Sequence, residues 1–142
     1  MLFRSAADVI VGVPGETEQH HRQAMDFISS LGISALHVFT YSIRPGTKAA
    51  QMAEQVQPAE RHQRSVQLHE LSKHLQRKFI ETQLSATRPV LFEKEQKDGY
   101  IYGFTDNYLR VRVHSRPELS NHIVDTKLIS INDDLTIEGA TI

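Results

Sequence analysis

The hydrophobic period of this chain changes once, near Thr87, and that change limits what it can fold into. Before it, a short apolar run is followed by apolar residues at helical spacing; after it, they alternate. No single element type satisfies both patterns. The sequence therefore predicts an α/β segment followed by an all-β one, with a boundary at 82–87. A chain of 142 residues holds one ordinary domain or two small ones.

In the first part, "ADVIVGV" reads as a buried strand bounded by turn residues. Thr17 is placed to cap a helix. Ala24, Phe27, Ile28 and Leu31 recur at i, i+3, i+4 and i+7 and are expected to face the core, with Gly32 ending the helix. "ISALHVFTY" is a second strand, in which His37 is expected to be a satisfied core residue. Strand–helix–strand with short joins implies parallel pairing. "RPGT" at Arg44–Thr47 is a turn, with a short helix beginning near Thr47. Two strands with two or three helices cannot cover both faces of a parallel sheet or close a barrel, so this part reads as the tail of a larger domain. A long helix is expected from Pro58 to about Leu84. Leu68, Leu71, Leu75 and Phe79 form its apolar stripe, and Arg61, Arg64, Lys73, Arg77 and Lys78 its basic side chains.

After Thr87, "RPVLFEKE", "YIYGFT", "YLRVRV", "IVDTKLISI" and "LTIEGATI" read as five short strands. Lys97–Gly99 is a hairpin signal and Asp106–Asn107 a turn. Five strands within residues 83–142 point to a small closed barrel, because closure removes exposed edges.

Composition narrows the chemistry. The chain has no cysteine, which excludes disulfides, a thiol nucleophile, and thiolate-held zinc or iron–sulfur clusters within it. Net charge is −1, so a polyanion must be met by local faces; residues 59–81 carry +2, while 1–58 and 82–142 carry −1 and −2. No apolar run is long enough to span a membrane, and no signal peptide is evident, so a cytoplasmic location is expected. In "GVPGET", a glycine-rich turn precedes a helix as in a phosphate loop. Glu16 sits at the positive helix end and would repel an anion. The spacing fits a structural turn, or a neutral or cationic ligand along the strand end. "HELSKH" spaces its histidines five apart, rotated by about 140° on a helix, so they do not form a zinc pair. His20 and His21 diverge for the same reason. In "YLRVRV", alternation places Leu109, Val111 and Val113 inward and Tyr108, Arg110 and Arg112 outward. An aromatic beside two guanidiniums suits single-stranded RNA, or forms an ordinary solvated strand face.

Taken in order, these residues resemble the C-terminal half of radical S-adenosylmethionine methylthiotransferases. "DVIVGVPGET" is similar to the late barrel strand and loop of that family, and "LHVFTYSIRPGTKAA" to its final strand and following turn. "RPVLFE…DGYIYGFTDNYLRVRV" is similar to its terminal RNA-binding TRAM domain. The likeness is greatest to the enzymes that modify threonylcarbamoyladenosine next to the tRNA anticodon. "MLFRS" lies outside the resemblance, and "ETQLSATRP" lacks the glycine with which a TRAM barrel commonly opens.

The resemblance implies a fold and a chemistry. Residues 1–58 would be the last βα units of an incomplete radical SAM, TIM-like barrel, 59–82 a linking helix, and 83–142 a TRAM, OB-like barrel. The family cleaves S-adenosylmethionine on a 4Fe-4S cluster and draws sulfur from a second cluster; it installs a methylthio group on adenine carbon two. Val11, Gly12, Pro14, Gly15 and Glu16, with Phe39, Thr40 and Tyr41, would flank S-adenosylmethionine from one side. Lys94, Lys97, Phe104, Asn107, Tyr108, Arg110 and Arg112 would contact tRNA at the anticodon stem-loop. Neither cluster could be held here, and no catalytic or metal-binding residue is expected. The domains that hold the clusters would lie upstream of Met1; no DNA or membrane partner is expected. Two alternatives stay open: a stand-alone RNA-binding adaptor, and part of the relative that methylthiolates a ribosomal-protein aspartate.

Overall fold

The computed structural model describes residues 5–142, so all but Ser5 of "MLFRS" lies outside the described residues. The described chain forms two compact units, meeting between Gln76 and Arg77, somewhat before the change of period.

The first unit contains β1 (Ala6–Val11), α1 (Glu18–Ser30), β2 (Ala35–Thr40), a short α2 (Lys48–Gln51), and α3 (Pro58–Glu81) as far as Gln76. β1 and β2 pair in parallel, with Ala7 opposite Leu36 and Val9 opposite Val38. Thr17 caps α1 by accepting from the His20 N–H at 3.2 Å, while His20 Nδ1 accepts from the Thr17 N–H at 3.3 Å. The core of this unit is Val11, Ile28, Leu36, Leu68 and Leu75, with Ala7, Val9, Met25, Val38 and Leu71 packed around it.

Three expectations need correction here. β1 is not buried on both faces, because Ala6, Asp8 and Ile10 point outward while Val11 faces the core. His37 is exposed, since it shares the uncovered face with Asp8, Ile10 and Phe39. The buried stripe of α1 is His21, Met25 and Ile28, whereas Phe27 and Leu31 are exposed and Ala24 lies outside the core. His21 can be buried because its Nε2 meets Gln67 Oε1 of α3 at 2.8 Å, which satisfies the imidazole without water.

The second unit is a closed barrel of β3 (Thr87–Lys97), β4 (Tyr100–Thr105), β5 (Arg110–His114), β6 (Ile123–Ile131) and β7 (Ile137–Thr141), in the order β3-β4-β5-β7-β6. β5 and β7 pair in parallel; the other neighbours are antiparallel. Asp98 and Gly99, both at positive φ, make the two-residue hairpin between β3 and β4. Val90, Phe92, Ile101, Val111, Leu128 and Ile137 are completely buried, and Phe79 and Ile80 from the end of α3 join them. Each large side chain contributes about 1.5–3 kcal/mol of burial. At the barrel's opening turn, Ser85 takes φ +69°, the conformation a glycine would adopt, and its N–H reaches Leu128 O at 2.8 Å.

Candidate functional site

The outer face of β4 and β5 is built by register. Tyr100 lies opposite His114, Tyr102 opposite Arg112, and Phe104 opposite Arg110. Each cross-strand pair therefore joins one aromatic ring to one cationic or imidazole group. Tyr100 and His114 stack with centroids 5.1 Å apart. The Arg110 guanidinium lies 4.9 Å from the Tyr102 ring and that of Arg112 4.4 Å from Tyr100. Sequence reading found Phe104, Arg110 and Arg112 but missed Tyr100, Tyr102 and His114. The alternation in "YIYGFT" carried that signal, since residues two apart share a face.

The two arginines differ in their electrostatics. Arg112 pairs with Glu138, its neighbour in the parallel β5–β7 register, and Glu138 also accepts from Asn132 Nδ2 at 3.1 Å. The Glu138 hydrogen bond raises the Arg112 pKa above its ordinary value. Arg110 is exposed, and no carboxylate among the described residues pairs with it. Lys94 and Lys97 are exposed on β3.

Tyr108 does not share the strand face with the arginines, because β5 begins at Arg110. It occupies the preceding turn at φ +61°, with 71% of its surface exposed. Asn107, expected to contact RNA, is buried: its Oδ1 accepts from the Thr105 hydroxyl at 2.6 Å and its Nδ2 donates to Gln83 Oε1 at 3.2 Å. Arg88 extends this network, donating to the same Gln83 oxygen at 2.9 Å and to Asp106 at 2.7 Å.

In the first unit, the loop after β1 is internally satisfied. The Gly12 N–H donates to Glu16 Oε2 at 3.0 Å, the Gly15 N–H to Glu54 O at 3.0 Å, and the Glu16 N–H to Val13 O at 3.1 Å. Glu16 is paired with Arg64, 2.9 Å away. Arg64, one of the basic side chains of the long helix, is only 3% exposed and also meets Glu60 at 3.1 Å. Arg61 lies over Gly12 and donates to Tyr41 O at 2.8 Å. These two arginines are structural. Val11, Gly12, Pro14, Gly15 and Glu16 thus frame the strand end, while Phe39, Thr40 and Tyr41 line an open cleft of about 400 Å³ with Ile10, Ser42 and Arg44. The Tyr41 hydroxyl is buried and has no hydrogen-bond partner among the described residues. His69 and His74 are exposed, and no cluster of three metal-ligating side chains occurs among the described residues. No helix among them is long and apolar enough to cross a membrane.

No protein-family model matches the chain. Individual relatives do. It is 33% identical over 127 residues to the threonylcarbamoyladenosine tRNA methylthiotransferase MtaB of Bacillus subtilis, covering 87% of this chain and 28% of that protein. It is 36% identical over 126 residues to the tRNA-2-methylthio-N(6)-dimethylallyladenosine synthase of Magnetococcus marinus, covering 87% and 29%. The enzyme of the same name from Aliarcobacter butzleri is 31% identical over 130 residues, covering 91% and 30%. The chain therefore spans less than a third of the length of the relatives it matches. Its relatives by sequence are thus tRNA methylthiotransferases, with which it shares a stretch of that limited extent.

Proposed function

We propose that this chain is the C-terminal stretch of a tRNA methylthiotransferase and that it grips tRNA at the anticodon stem-loop. Residues 83–142 act as the TRAM domain, 59–82 as the linking helix, and 1–58 as the last βα units of a radical SAM barrel. The carrying observation is the β4–β5 face, where three aromatic rings alternate with Arg110, Arg112 and His114. OB-like barrels bind oligonucleotides on the face of their second and third strands, which here are β4 and β5. Rings stack on bases and guanidiniums meet phosphate. The uncovered face of β1 and β2, with Ile10 and Phe39 exposed side by side, supports a sheet that continues into other strands.

The substrate adenosine is the threonylcarbamoylated one, on the likeness of "LHVFTYS" and the barrel segment to that subfamily. S-adenosylmethionine fits one side of the Phe39–Tyr41 cleft. There Ile10 and Phe39 offer apolar surface, and Thr40 and Ser42 offer hydroxyls. When bound, it supplies the radical precursor and the methyl group. The Gly12, Gly15 and Glu16 amides are already engaged, so residues 11–16 act by shaping the strand end. With no cysteine in its 142 residues, the chain offers no thiolate to either 4Fe-4S cluster, and the clusters belong to the remainder of the enzyme.

The test is fluorescence anisotropy of the full chain with tRNA anticodon stem-loops, titrated with salt. Salt-dependent binding is expected, with no binding to the ribosomal protein that the related aspartate-modifying enzymes act on. Absence of stem-loop binding at low salt would overturn the reading. Independently, the upstream coding sequence is expected to continue in frame into a three-cysteine cluster motif; a frame without one would favour the stand-alone adaptor.

A further inference from the structure

A row of outward side chains crosses four elements of the barrel. Ile123 on β6 lies opposite Leu91 on β3, Leu91 opposite Phe104 on β4, and Phe104 opposite Arg110 on β5. Ile123, Leu91 and Phe104 are 69%, 52% and 40% exposed, and with Pro89 and Tyr108 they line a cleft of about 320 Å³, whose rim is completed by Thr105 and by Asp106, a carboxylate paired with Arg88. A small barrel gains nothing in stability from displaying these residues to water.

The turn that presents Tyr108 is constructed rather than slack. A bulky residue at positive φ is strained by about 1–3 kcal/mol and persists only when its surroundings over-determine it. Here the Tyr108 N–H bonds Thr105 O at 3.0 Å, and the Leu109 N–H bonds the Thr105 hydroxyl at 2.9 Å. A network that runs from buried Asn107 and Gln83 through Arg88 to the exposed Asp106 holds the turn from beneath. All of this positions a ring that is itself mostly in solvent.

We infer that this cleft is a binding subsite for one unstacked nucleobase, with Tyr108 and Phe104 as its stacking surfaces and Arg110 taking the adjoining phosphate. An occupant that is apolar and planar at one end and anionic at the other matches an apolar cleft whose in-register neighbour is an arginine without a carboxylate partner. Asn107 is then a positioning residue, acting through the turn and not by touching RNA. This inference rests on the RNA-binding reading above and says where on the barrel a base is held.

The experiment uses the full chain and two probes of equal length and charge: single-stranded oligo(A), and the corresponding ribose-phosphate oligomer without bases. Tyr108→Ala is expected to weaken oligo(A) binding about ten- to a hundredfold, the effect of losing one stacked base, while Tyr108→Phe stays near wild type. Neither change is expected to alter the slope of log K against log[salt]. Arg110→Ala is expected to flatten that slope by about 0.7, one phosphate contact on a single strand. The base-free oligomer is expected to bind wild type and Tyr108→Ala alike. Equal affinity of Tyr108→Ala and wild type for oligo(A) would overturn the subsite and leave the cleft to a protein partner. An equal loss on both probes would overturn it as well, showing that the turn and not a base was lost. If wild type binds neither probe nor the stem-loop, the RNA-binding reading itself fails and the subsite with it.

Discussion

Replacing Gly12 with alanine separates two forces that hold the turn after β1. Gly12 sits at φ +80°, and a Cβ built there lies 2.2 Å from Arg61 Cγ and 2.9 Å from its Cδ. The left-handed backbone alone costs alanine about 1–2 kcal/mol. The collision is with the middle of the Arg61 side chain, which cannot step aside while its guanidinium holds Tyr41 O at 2.8 Å. Losing that charged hydrogen bond costs a further 1.5–3 kcal/mol or about that. The first unit of Gly12→Ala should therefore open more readily by about 2.5–5 kcal/mol, up to the limit of its own stability. Native-state hydrogen exchange read by peptide is the assay, since it reports residues 5–76 separately from the barrel. Their slowest amides should exchange roughly a hundred- to several-thousandfold faster, because 1.4 kcal/mol is about tenfold. Barrel amides should not change. In an Arg61→Ala background the Cγ and Cδ collisions are gone and only the Cβ contact at 3.1 Å is left, so the same glycine change should cost little beyond the backbone share of about 1–2 kcal/mol. If the two substitutions simply add, or if Gly12→Ala leaves residues 5–76 unaffected, the account of the turn is wrong.

Three further outcomes are expected. Gly103→Ala should loosen the barrel, because its Cβ would lie 2.5 Å from the backbone oxygen of Leu91 and 2.7 Å from Val90 Cγ1, and backbone cannot yield as a side-chain tip does; a loss of about 1–3 kcal/mol in the exchange of residues 87–114 checks it. Glu138→Gln should release Arg112 from its ion pair, tightening stem-loop binding and steepening the salt slope by about 0.7–0.9; an unchanged slope would show that Arg112 does not reach phosphate. Asp134 accepts the Thr136 N–H at 3.0 Å, which depresses its pKa. Its contribution to stability is thus complete above the unfolded carboxyl pKa of about 4 and disappears as pH falls through the lower folded value. Thermal melts of Asp134→Asn should accordingly differ from wild type at neutral pH and converge with it in acid.

Local signals were legible wherever the physics is local. Thr17 caps α1, Asp98–Gly99 turns the hairpin, and Leu109, Val111 and Val113 face inward, each for a reason confined to a few neighbouring residues. The candidate face was half legible. Arg110 and Arg112 stand out in a strand of period two, but their aromatic partners belong to the next strand, and only the register brings Tyr102 to Arg112 and Phe104 to Arg110.

The sequence by itself determined that an α/β segment precedes a five-stranded barrel, where the main turns fall, and that no thiolate chemistry can reside in this chain. It could not choose among side chains whose fate depends on distant partners. His21 is buried in place of Phe27 because Gln67, far along the chain, satisfies its ring. Arg64 is buried because Glu16 meets it, and Asn107 because Gln83 does. Arg112 is restrained because a parallel strand delivers Glu138 beside it. Burying a polar or charged group is favourable only when its partner arrives in the right place, and that placement is set by tertiary packing, which spacing along the chain does not encode.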